Sequence, residues 1–329
     1  MSNNSLGDRR YYRTRLTPLQ KSIYKTILAG LKSHTVRTKV PAQPINEISR
    51  IFTFVLLDNP LIFFTAAPPF NYISMPGRKS EVLPNYKFVK QIAKQYSDEV
   101  NLYLQRFDSF KVKPDVEKVQ IVHDYCLEHF SYDHGAGEHA HSILGPILHR
   151  TAVCEGIAKF LKLALDYLDV KNLIVTGKAK DPAGGKSENH AWNIVKLDGK
   201  TYHVDVTFDM TLSVGEKRYD YFCLCDEDIK KDHIITGNVP TCTTKGEDYY
   251  SKNFLVARSP MELKDIIGKN LRQNKQRIVI KAIGKGEPES LQNKIVQIAV
   301  NQHINVHNRS VAIECNANIE QMVFEVNFK

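Results

Sequence analysis

The segment HAWNIVKLDGKTYHVDVTF, residues 190–208, decides the fold of the central part of the chain. Two runs rich in β-branched and aromatic residues flank the pair Asp198-Gly199. This pair is a strong signal for a two-residue hairpin, because both turn residues need positive φ. Closing the hairpin there sets the strand register and places Trp192 opposite Asp205. We therefore predict two antiparallel strands over this segment.

The predicted register brings His190, Trp192 and Asp205 to one face, because paired residues and residues two apart on a strand share a face. An imidazole beside a carboxylate gains a fixed tautomer, which is the orienting half of a catalytic triad. A surface histidine near a surface aspartate is the alternative, but a carboxylate between two valines of an apolar strand needs a partner. Trp192 is predicted either to pack in the core or to line the site and shield the pair from water.

Cys154 is the candidate nucleophile for this pair. It stands in TAVCEGIAKF, residues 151–160, where an extended run turns into a helix predicted over 153–168. The free amide groups and the dipole of a helix start favour a thiolate, and Gly156 keeps side-chain bulk away from the first turn. A small buried side chain that opens a helix is the alternative. The predicted pairing of histidine and aspartate on the hairpin favours the nucleophile.

Three segments resemble the transglutaminase-like superfamily, a papain-related group with an ordered Cys, His, Asp triad. They are VCEGIAKFLKLALDYLDV, NHAWNIVKLDGKTYHVDVTFD and RYDYFCLCDEDIKKDHI. The upstream KVQIVHDYCLEHFSYD also resembles the helix that precedes the cysteine in that group, so the resemblance covers about residues 115–235. It implies that Cys154 is the nucleophile, His190 the general base and acid, and Asp205 the orienting carboxylate. The flanking regions resemble those of bacterial members only loosely.

Attack of a thiol on a carbonyl group forms an oxyanion, which needs hydrogen-bond donors. The sequence does not define the second of these donors. In papain-like enzymes the backbone amide of the cysteine acts together with a side chain that precedes it. The stretch 131–153 offers His141, Ser142 and His149 without a recognisable glutamine or tryptophan. We keep His141 and Ser142 as candidate site-lining residues, with exposed loop side chains as the alternative interpretation.

The resemblance implies acyl transfer through a thioester on a peptide or protein substrate. A cysteine peptidase or amidase is favoured, because the sequence shows neither the acidic calcium loop and β-rich tail of the large animal transglutaminases nor the zinc cysteines of the peptide N-glycanase relatives. A protein-glutamine transglutaminase and a non-catalytic peptide-binding scaffold are the alternatives. No cofactor and no metal are expected.

The order of predicted elements indicates an α+β protein, with a transglutaminase-like core in which the helix that bears the cysteine packs on an antiparallel sheet. We predict a helical N-terminal region over 1–112, a catalytic core over 113–245 and a small α/β accessory domain over 246–329. Thr17 and Gln20 form a predicted capping box at the first long helix. The last region shows a β-α-β-α-β-β order.

Composition bounds the partners and the compartment. The net charge of +9 is concentrated in the first 50 residues, where ten Lys and Arg stand against two acidic residues. A nucleic-acid or anionic surface is the alternative to a solvated basic helix face, and we expect no nucleic-acid partner. The six cysteines are too sparse for a disulfide scaffold and are predicted to be reduced. We see no signal sequence or membrane span and expect a cytoplasmic protein, its oligomeric state left open.

Overall fold

The computed structural model describes residues 9–74, 77, 79–180, 186–213, 215–284 and 287–329. The elements before residue 111 are α1 (Tyr11–Thr14), α2 (Pro18–Ser33), β1 (Thr38–Pro41), α3 (Ile45–Asp58), β2 (Thr65–Ile73), β3 (Lys79–Tyr86), α4 (Lys90–Leu104) and a 3₁₀ turn (Gln105–Phe110). The elements from there to residue 236 are α5 (Asp115–His129), β4 (Ser131–Tyr132), a 3₁₀ turn (Glu138–His141), a π-helical turn (Gly145–His149), β5 (Thr151–Ala152), α6 (Cys154–Tyr167), β6 (Asn172–Lys180), β7 (Ser187–Leu197), β8 (Lys200–Val204), α7 (Val206–Leu212), β9 (Phe222–Leu224), α8 (Asp226–Ile229) and β10 (His233–Thr236). The remaining elements are α9 (Tyr249–Lys252), β11 (Val256–Ala257), α10 (Pro260–Arg272), β12 (Arg277–Ala282), α11 (Pro288–His307), β13 (Ile313–Asn318) and β14 (Val323–Phe328).

The N-terminal region combines helices with a small antiparallel sheet of strand order β1-β3-β2. Helix α2 begins with the predicted capping box, in which the backbone N–H of Thr17 donates to Oε1 of Gln20 over 2.8 Å. The prediction of a helical region omitted the sheet. Pro68 and Pro69 lie in β2 and Pro84 lies in β3, and prolines within a run weaken the sequence pattern of a strand.

The central sheet has the strand order β10-β6-β7-β8-β9, and its neighbouring strands are antiparallel. Helix α6 packs against β6 and β7 through its apolar face, where Phe160, Leu161 and Leu165 are fully buried. Burying a side chain of this size contributes about 1.5–3 kcal/mol. The same apolar cluster continues into α2, α3 and α5. The helix that begins with the cysteine is therefore held rigidly between the sheet and the N-terminal helices.

The hairpin between β7 and β8 closes at the predicted pair. Asp198 has φ 48° and Gly199 has φ 83°, and Val195 lies opposite Tyr202 as the two-residue turn requires. The α+β fold with a helix on an antiparallel sheet is thus confirmed, together with the register of the hairpin.

The second strand of the hairpin ends earlier than predicted. Strand β8 stops at Val204, and Asp205 is the N-cap of α7, so Trp192 and Asp205 are not a cross-strand pair. The Asp205 side chain accepts hydrogen bonds from the backbone amides of Thr207 and Phe208, which is the favoured arrangement at a helix start. This capping turns the chain out of the strand.

The C-terminal region forms a mixed sheet of order β11-β12-β14-β13, covered by α10 and α11. It has its own buried apolar cluster, which includes Leu263, Ile267, Ile280 and Phe324. The short helix α9 comes first and was not predicted, and the elements from β11 to β14 follow in the predicted order. The boundaries at 112/113 and 245/246 stay predictions. Among the helices of the described residues, none has the length and apolar character needed to cross a membrane.

Candidate active site

A cleft of about 660 Å³ opens between the start of α6 and the central sheet. Cys154 and His190 both line it, together with His141 from the preceding loop and Phe208 from α7. A larger cavity of about 820 Å³ lies on the side of the C-terminal region and is lined by Tyr249, Arg277 and their neighbours, away from the predicted triad. The smaller cleft is therefore the one lined by two of the three predicted catalytic residues.

Cys154 is the first residue of α6 and is half-buried at the edge of the cleft. The close approach of the preceding loop explains the glycine two residues later. A Cβ atom at Gly156 would lie 2.1 Å from the carbonyl oxygen of Ala140, well inside a normal contact distance. This glycine lets the 3₁₀ turn press against the first turn of α6, which sets the wall of the cleft beside the thiol.

His190 lies on β7 and is buried between the thiol and a carboxylate. Its Nε2 hydrogen-bonds to Oδ2 of Asp205 at 2.6 Å, and the ring also interacts with the Cys154 thiol. Burial lowers the pKa of the ring, but the charge of Asp205, the hydrogen bond to it and the thiol outweigh burial and raise the pKa of His190 to about 10. Since Nε2 bonds to the carboxylate, Nδ1 is the nitrogen left for the thiol.

Asp205 is fully buried and accepts four hydrogen bonds. Oδ1 accepts from the amides of Thr207 at 3.0 Å and Phe208 at 3.2 Å, while Oδ2 accepts from Nε2 of His190 and, at 2.9 Å, from Nε2 of His233. Burial raises the pKa of this carboxyl, but the charges and hydrogen bonds of the two imidazoles outweigh it and hold the pKa well below its usual range. The carboxylate is therefore ionised and fixed in orientation.

Trp192 lies beneath the cleft, in the core. Its side chain is fully buried, and its ring centroid lies 5.9 Å from that of His190 and 4.9 Å from that of His233. The indole N–H donates to Nδ1 of His203 at 3.0 Å. The tryptophan packs against the inner side of the histidine cluster and covers it from the protein interior.

The two candidate residues ahead of the cysteine are placed differently. His141 is exposed at the rim of the cleft, where its Nδ1 lies 3.1 Å from Oε2 of Glu155. Ser142 instead stabilises its own turn: its hydroxyl donates to the carbonyl oxygen of His139 at 3.0 Å and accepts from the amide of Leu144 at 3.3 Å. The prediction of Ser142 as a site-lining residue is therefore corrected, because a serine in a turn satisfies local backbone groups.

His233 also belongs to the cluster, although sequence reasoning assigns it no chemical role. It begins β10 and is fully buried, with Nδ1 bonded to Oδ1 of Asp232 and Nε2 bonded to Oδ2 of Asp205. The residue falls in the quoted segment RYDYFCLCDEDIKKDHI, but its position beside the triad depends on β10 pairing with β6. No local pattern sets that long-range register.

Among the residues that the structure describes, two groups of side chains have ligand atoms within 4.8 Å of one another, which is close enough to hold a metal ion. In the first, His190 and His233 both hydrogen-bond to Asp205. The second consists of His203, Asp226 and Cys242. There Nδ1 of His203 accepts the indole proton, so Nε2 carries the ring proton and donates to Oδ1 of Asp226 at 2.9 Å. In both groups the histidine nitrogens that face a carboxylate donate a hydrogen bond to it and so offer no lone pair to a metal.

Comparison with known proteins agrees with this geometry. The model of the transglutaminase-like superfamily matches residues 105–206, a range that contains Cys154, His190 and Asp205. No curated protein sequence matches the chain significantly.

Similar solved structures are a TGase, a proposed cysteine protease from Cytophaga hutchinsonii, and menin in a crystal structure that reveals its binding site for the mixed lineage leukemia protein. The TGase is 17% identical and the alignment covers 45% of each chain, with a TM-score of 0.29. The Cytophaga protein is 14% identical over 43% of this chain and 63% of its own, with a TM-score of 0.26. Menin is 15% identical over 86% of this chain and 62% of its own, with a TM-score of 0.28. This chain thus spans less than two thirds of each of them. The matched range includes helix α6 and the strands β6 and β7 on which it packs, so this part of the chain has a transglutaminase-like core.

Proposed function

We propose that this protein is a thiol-dependent acyl-transfer enzyme, a cysteine peptidase or amidase that cleaves amides of a peptide or protein substrate. The observation that carries the proposal is the buried imidazole of His190, held between the thiol of Cys154 and the fixed carboxylate of Asp205. In this arrangement the nucleophile and the proton carrier line an open cleft, and the orienting carboxylate lies buried behind the imidazole.

The reaction follows from these contacts. The Cys154 sulfur attacks the amide carbonyl carbon, and the oxyanion accepts a hydrogen bond from the backbone N–H of Cys154 at the start of α6. His190 then delivers its Nδ1 proton to the leaving nitrogen, so that the C–N bond breaks, the amine departs and a thioester remains. Water adds to the thioester while His190 takes its proton, and the acid leaves as the thiol is restored.

Hydrolysis is favoured over amine transfer by the walls of the cleft. Lys178, Lys186 and Glu188 line it together with polar side chains, so water reaches the thioester. A protein-glutamine transglutaminase uses the same triad with an amine in place of water and is the second candidate function. A non-catalytic scaffold would bind a peptide in the cleft without forming either product.

The test uses a matched pair of cysteine variants. Cys315 is half-buried like Cys154 but lies on β13, and burial raises its pKa to about 11. We expect iodoacetamide near neutral pH to modify Cys154 first, and C154A to lower kcat/KM on a peptide library by at least about 10³-fold, whereas C315A retains the activity of the wild type.

Adding a primary amine to the same assay separates the candidates. A hydrolase releases the free acid, and a transglutaminase incorporates the amine into the acyl product. Equal activity of C154A and wild type, or equal alkylation of Cys154 and Cys315, would rule out the enzyme. A scaffold gives neither product although C154A still binds the peptide.

A further inference from the structure

His233 occupies a position from which it acts directly on the proposed triad. Its imidazole is buried behind Asp205, on the side opposite the cleft, with ring centroids at 5.4 Å from His190, 4.9 Å from Trp192 and 4.7 Å from Phe208. His190 and His233 share a single oxygen, Oδ2 of Asp205, at 2.6 Å and 2.9 Å. A change in the charge of His233 therefore changes the electrostatic environment of His190.

The hydrogen bonds of His233 define its protonation state. Nε2 faces Oδ2 of Asp205, and Nδ1 faces Oδ1 of Asp232. A neutral imidazole has one N–H and can donate to one of these carboxylates, whereas an imidazolium donates to both. The two carboxylates and the burial of the group thus select the charged ring, because an unpaired carboxylate in the interior is costly.

Asp232 is held in place by residues from two parts of the chain. Its Oδ2 accepts from the hydroxyl of Tyr221 at 2.7 Å and from Nε2 of Gln321 at 3.2 Å. Asn318 donates to the same hydroxyl at 3.3 Å. Asn318 and Gln321 border the turn between β13 and β14, so the C-terminal region supports the far end of the cluster.

We propose that His233 is a positioning residue: a permanently protonated second imidazole that fixes the Asp205 carboxylate and limits the basicity of His190. The inference rests on the proposed function, because it assigns a role within the same triad. A buried Asp205 with His190 as its sole cationic partner would stabilise the imidazolium so strongly that proton transfer to a leaving amine slows. A second positive charge on the same carboxylate oxygen reduces that stabilisation.

The charged groups around His233 determine in which direction it shifts the pKa of His190. Asp205 and Asp232 favour the protonated ring, while His190 and the more distant His203 oppose it. Burial lowers the pKa of His233, but the hydrogen bonds and charges of the two carboxylates outweigh burial and raise it. Loss of the cation at His233 should consequently raise the pKa of His190 further.

The variant H233Q tests this. Glutamine retains a donor toward Asp205 and removes the charge. In the pH dependence of Cys154 alkylation by iodoacetamide, the upper transition reports deprotonation of His190 beside the thiolate. We expect H233Q to move this transition up by about one to two pH units, the effect of losing a like charge about 5 Å away. An unchanged transition, or a shift to lower pH, would overturn the proposal.

A matched control and a second variant keep the result interpretable. His123 is also buried between two carboxylates, those of Asp124 and Asp209, but it is not among the residues that line the cleft of Cys154 and His190. H123Q should lose stability and keep the wild-type transition. D232N removes one of the two carboxylates that hold the proton of His233, so His233 should become neutral and the transition should move in the same direction as in H233Q. The shift should be smaller, because the negative charge of Asp232 is lost as well. This variant also tests the proposal if H233Q does not fold. A wild-type profile in D232N would contradict the proposal.

Nitrogen-15 spectra of histidine-labelled protein separate this inference from the proposed function. They report the protonation of both ring nitrogens without any substrate. We expect His233 to show two protonated nitrogens at neutral pH, even in C154A. A neutral His233 in an enzyme that cleaves amides would refute the positioning role alone, and a charged His233 in a protein without amidase activity would refute the function alone.

Discussion

Two aspartates of α7 lie one helical turn apart, and the pKa values of their carboxyl groups are shifted in opposite directions. Asp205 caps the helix and Asp209 lies within it, both are fully buried, and each bonds to a buried histidine. The pKa of Asp205 lies well below its usual range, whereas burial raises the pKa of Asp209 to about 7, a rise that the hydrogen bond and charge of His123 only partly offset. Equal burial therefore does not produce equal protonation.

The difference lies in donors and in the neighbouring charges. Asp205 accepts four hydrogen bonds, two of them from imidazoles. Asp209 accepts from Nε2 of His123 at 2.9 Å and from the amide of Tyr221 at 3.0 Å, and the charge of Asp220 raises its pKa further. A second imidazole converts a carboxylate that favours a proton into one that stays ionised, and ionised is the state an orienting carboxylate needs.

The largest expected effect comes from replacing the carboxylate of Asp205 by an amide. Asparagine is a good N-cap, so D205N should fold, but it presents the wrong hydrogen-bonding partner to His190 and loses the charge. We expect kcat/KM on an amide substrate to fall by about 10³- to 10⁴-fold in D205N. The measurement is steady-state kinetics on the substrate found for the wild type.

D209N is the matched control for that substitution. It changes the same chemical group one turn along the same helix, and its partner His123 lies outside the cleft. We expect kcat/KM of D209N to stay within a few-fold of the wild type. Comparable losses of kcat/KM in the two variants would mean that the cluster of Asp209 contributes to catalysis as much as that of Asp205, which would contradict the proposed difference between them.

Asp205 and Asp209 should also differ in how they make the stability of the protein depend on pH. A carboxyl whose pKa is raised in the folded state retains its proton above the unfolded pKa of about 4, so its contribution to stability declines as the pH rises toward about 7. D209N removes this decline. We expect the free energy of unfolding of D209N to fall less, or rise more, between pH 4 and pH 6 than that of the wild type, by about 1–3 kcal/mol across the window.

The opposite sign applies to Asp205. Its depressed pKa gives stability that is present above about pH 4 and lost below it. D205N should therefore lose less of its free energy of unfolding below pH 4 than the wild type does. Between pH 4 and pH 6 its free energy of unfolding should change with pH as that of the wild type does. Denaturant titrations at several pH values measure both slopes, and identical slopes in D205N and D209N would show that the two carboxyls titrate alike.

The sequence predicted that His190 and Asp205 lie together but did not predict that His233 joins them, and both outcomes have physical reasons. A two-residue turn of Asp198 and Gly199 sets its register locally, so the hairpin could be predicted down to the pairing of Val195 with Tyr202. The position of His233 depends instead on an edge strand that pairs with β6 across more than 50 residues of chain. Such pairings are decided by global packing.

The end of β8 shows a related limit. An alternating apolar pattern through residue 208 favours a strand, but a buried aspartate at position 205 caps a helix as readily as it ends a ladder. The N-terminal sheet was missed because prolines weaken the strand pattern of β2 and β3. Local chemistry thus predicted which side chains meet at the triad, while tertiary packing determined what surrounds them.

The smallest expected effect concerns Trp192, which packs against His190 while its indole N–H donates a hydrogen bond to His203. W192F keeps an aromatic ring beside His190 and His233 and leaves the buried Nδ1 of His203 unpaired, so we expect a loss of about 1–3 kcal/mol in the free energy of unfolding. The pH profile of Cys154 alkylation should not move. Y12F is the matched control, because Tyr12 packs in the same cluster and its hydroxyl donates to the carbonyl oxygen of Ile174 at 2.5 Å. If W192F shifts the upper transition while Y12F does not, Trp192 acts on the site by excluding water from the histidines, and its role extends beyond packing.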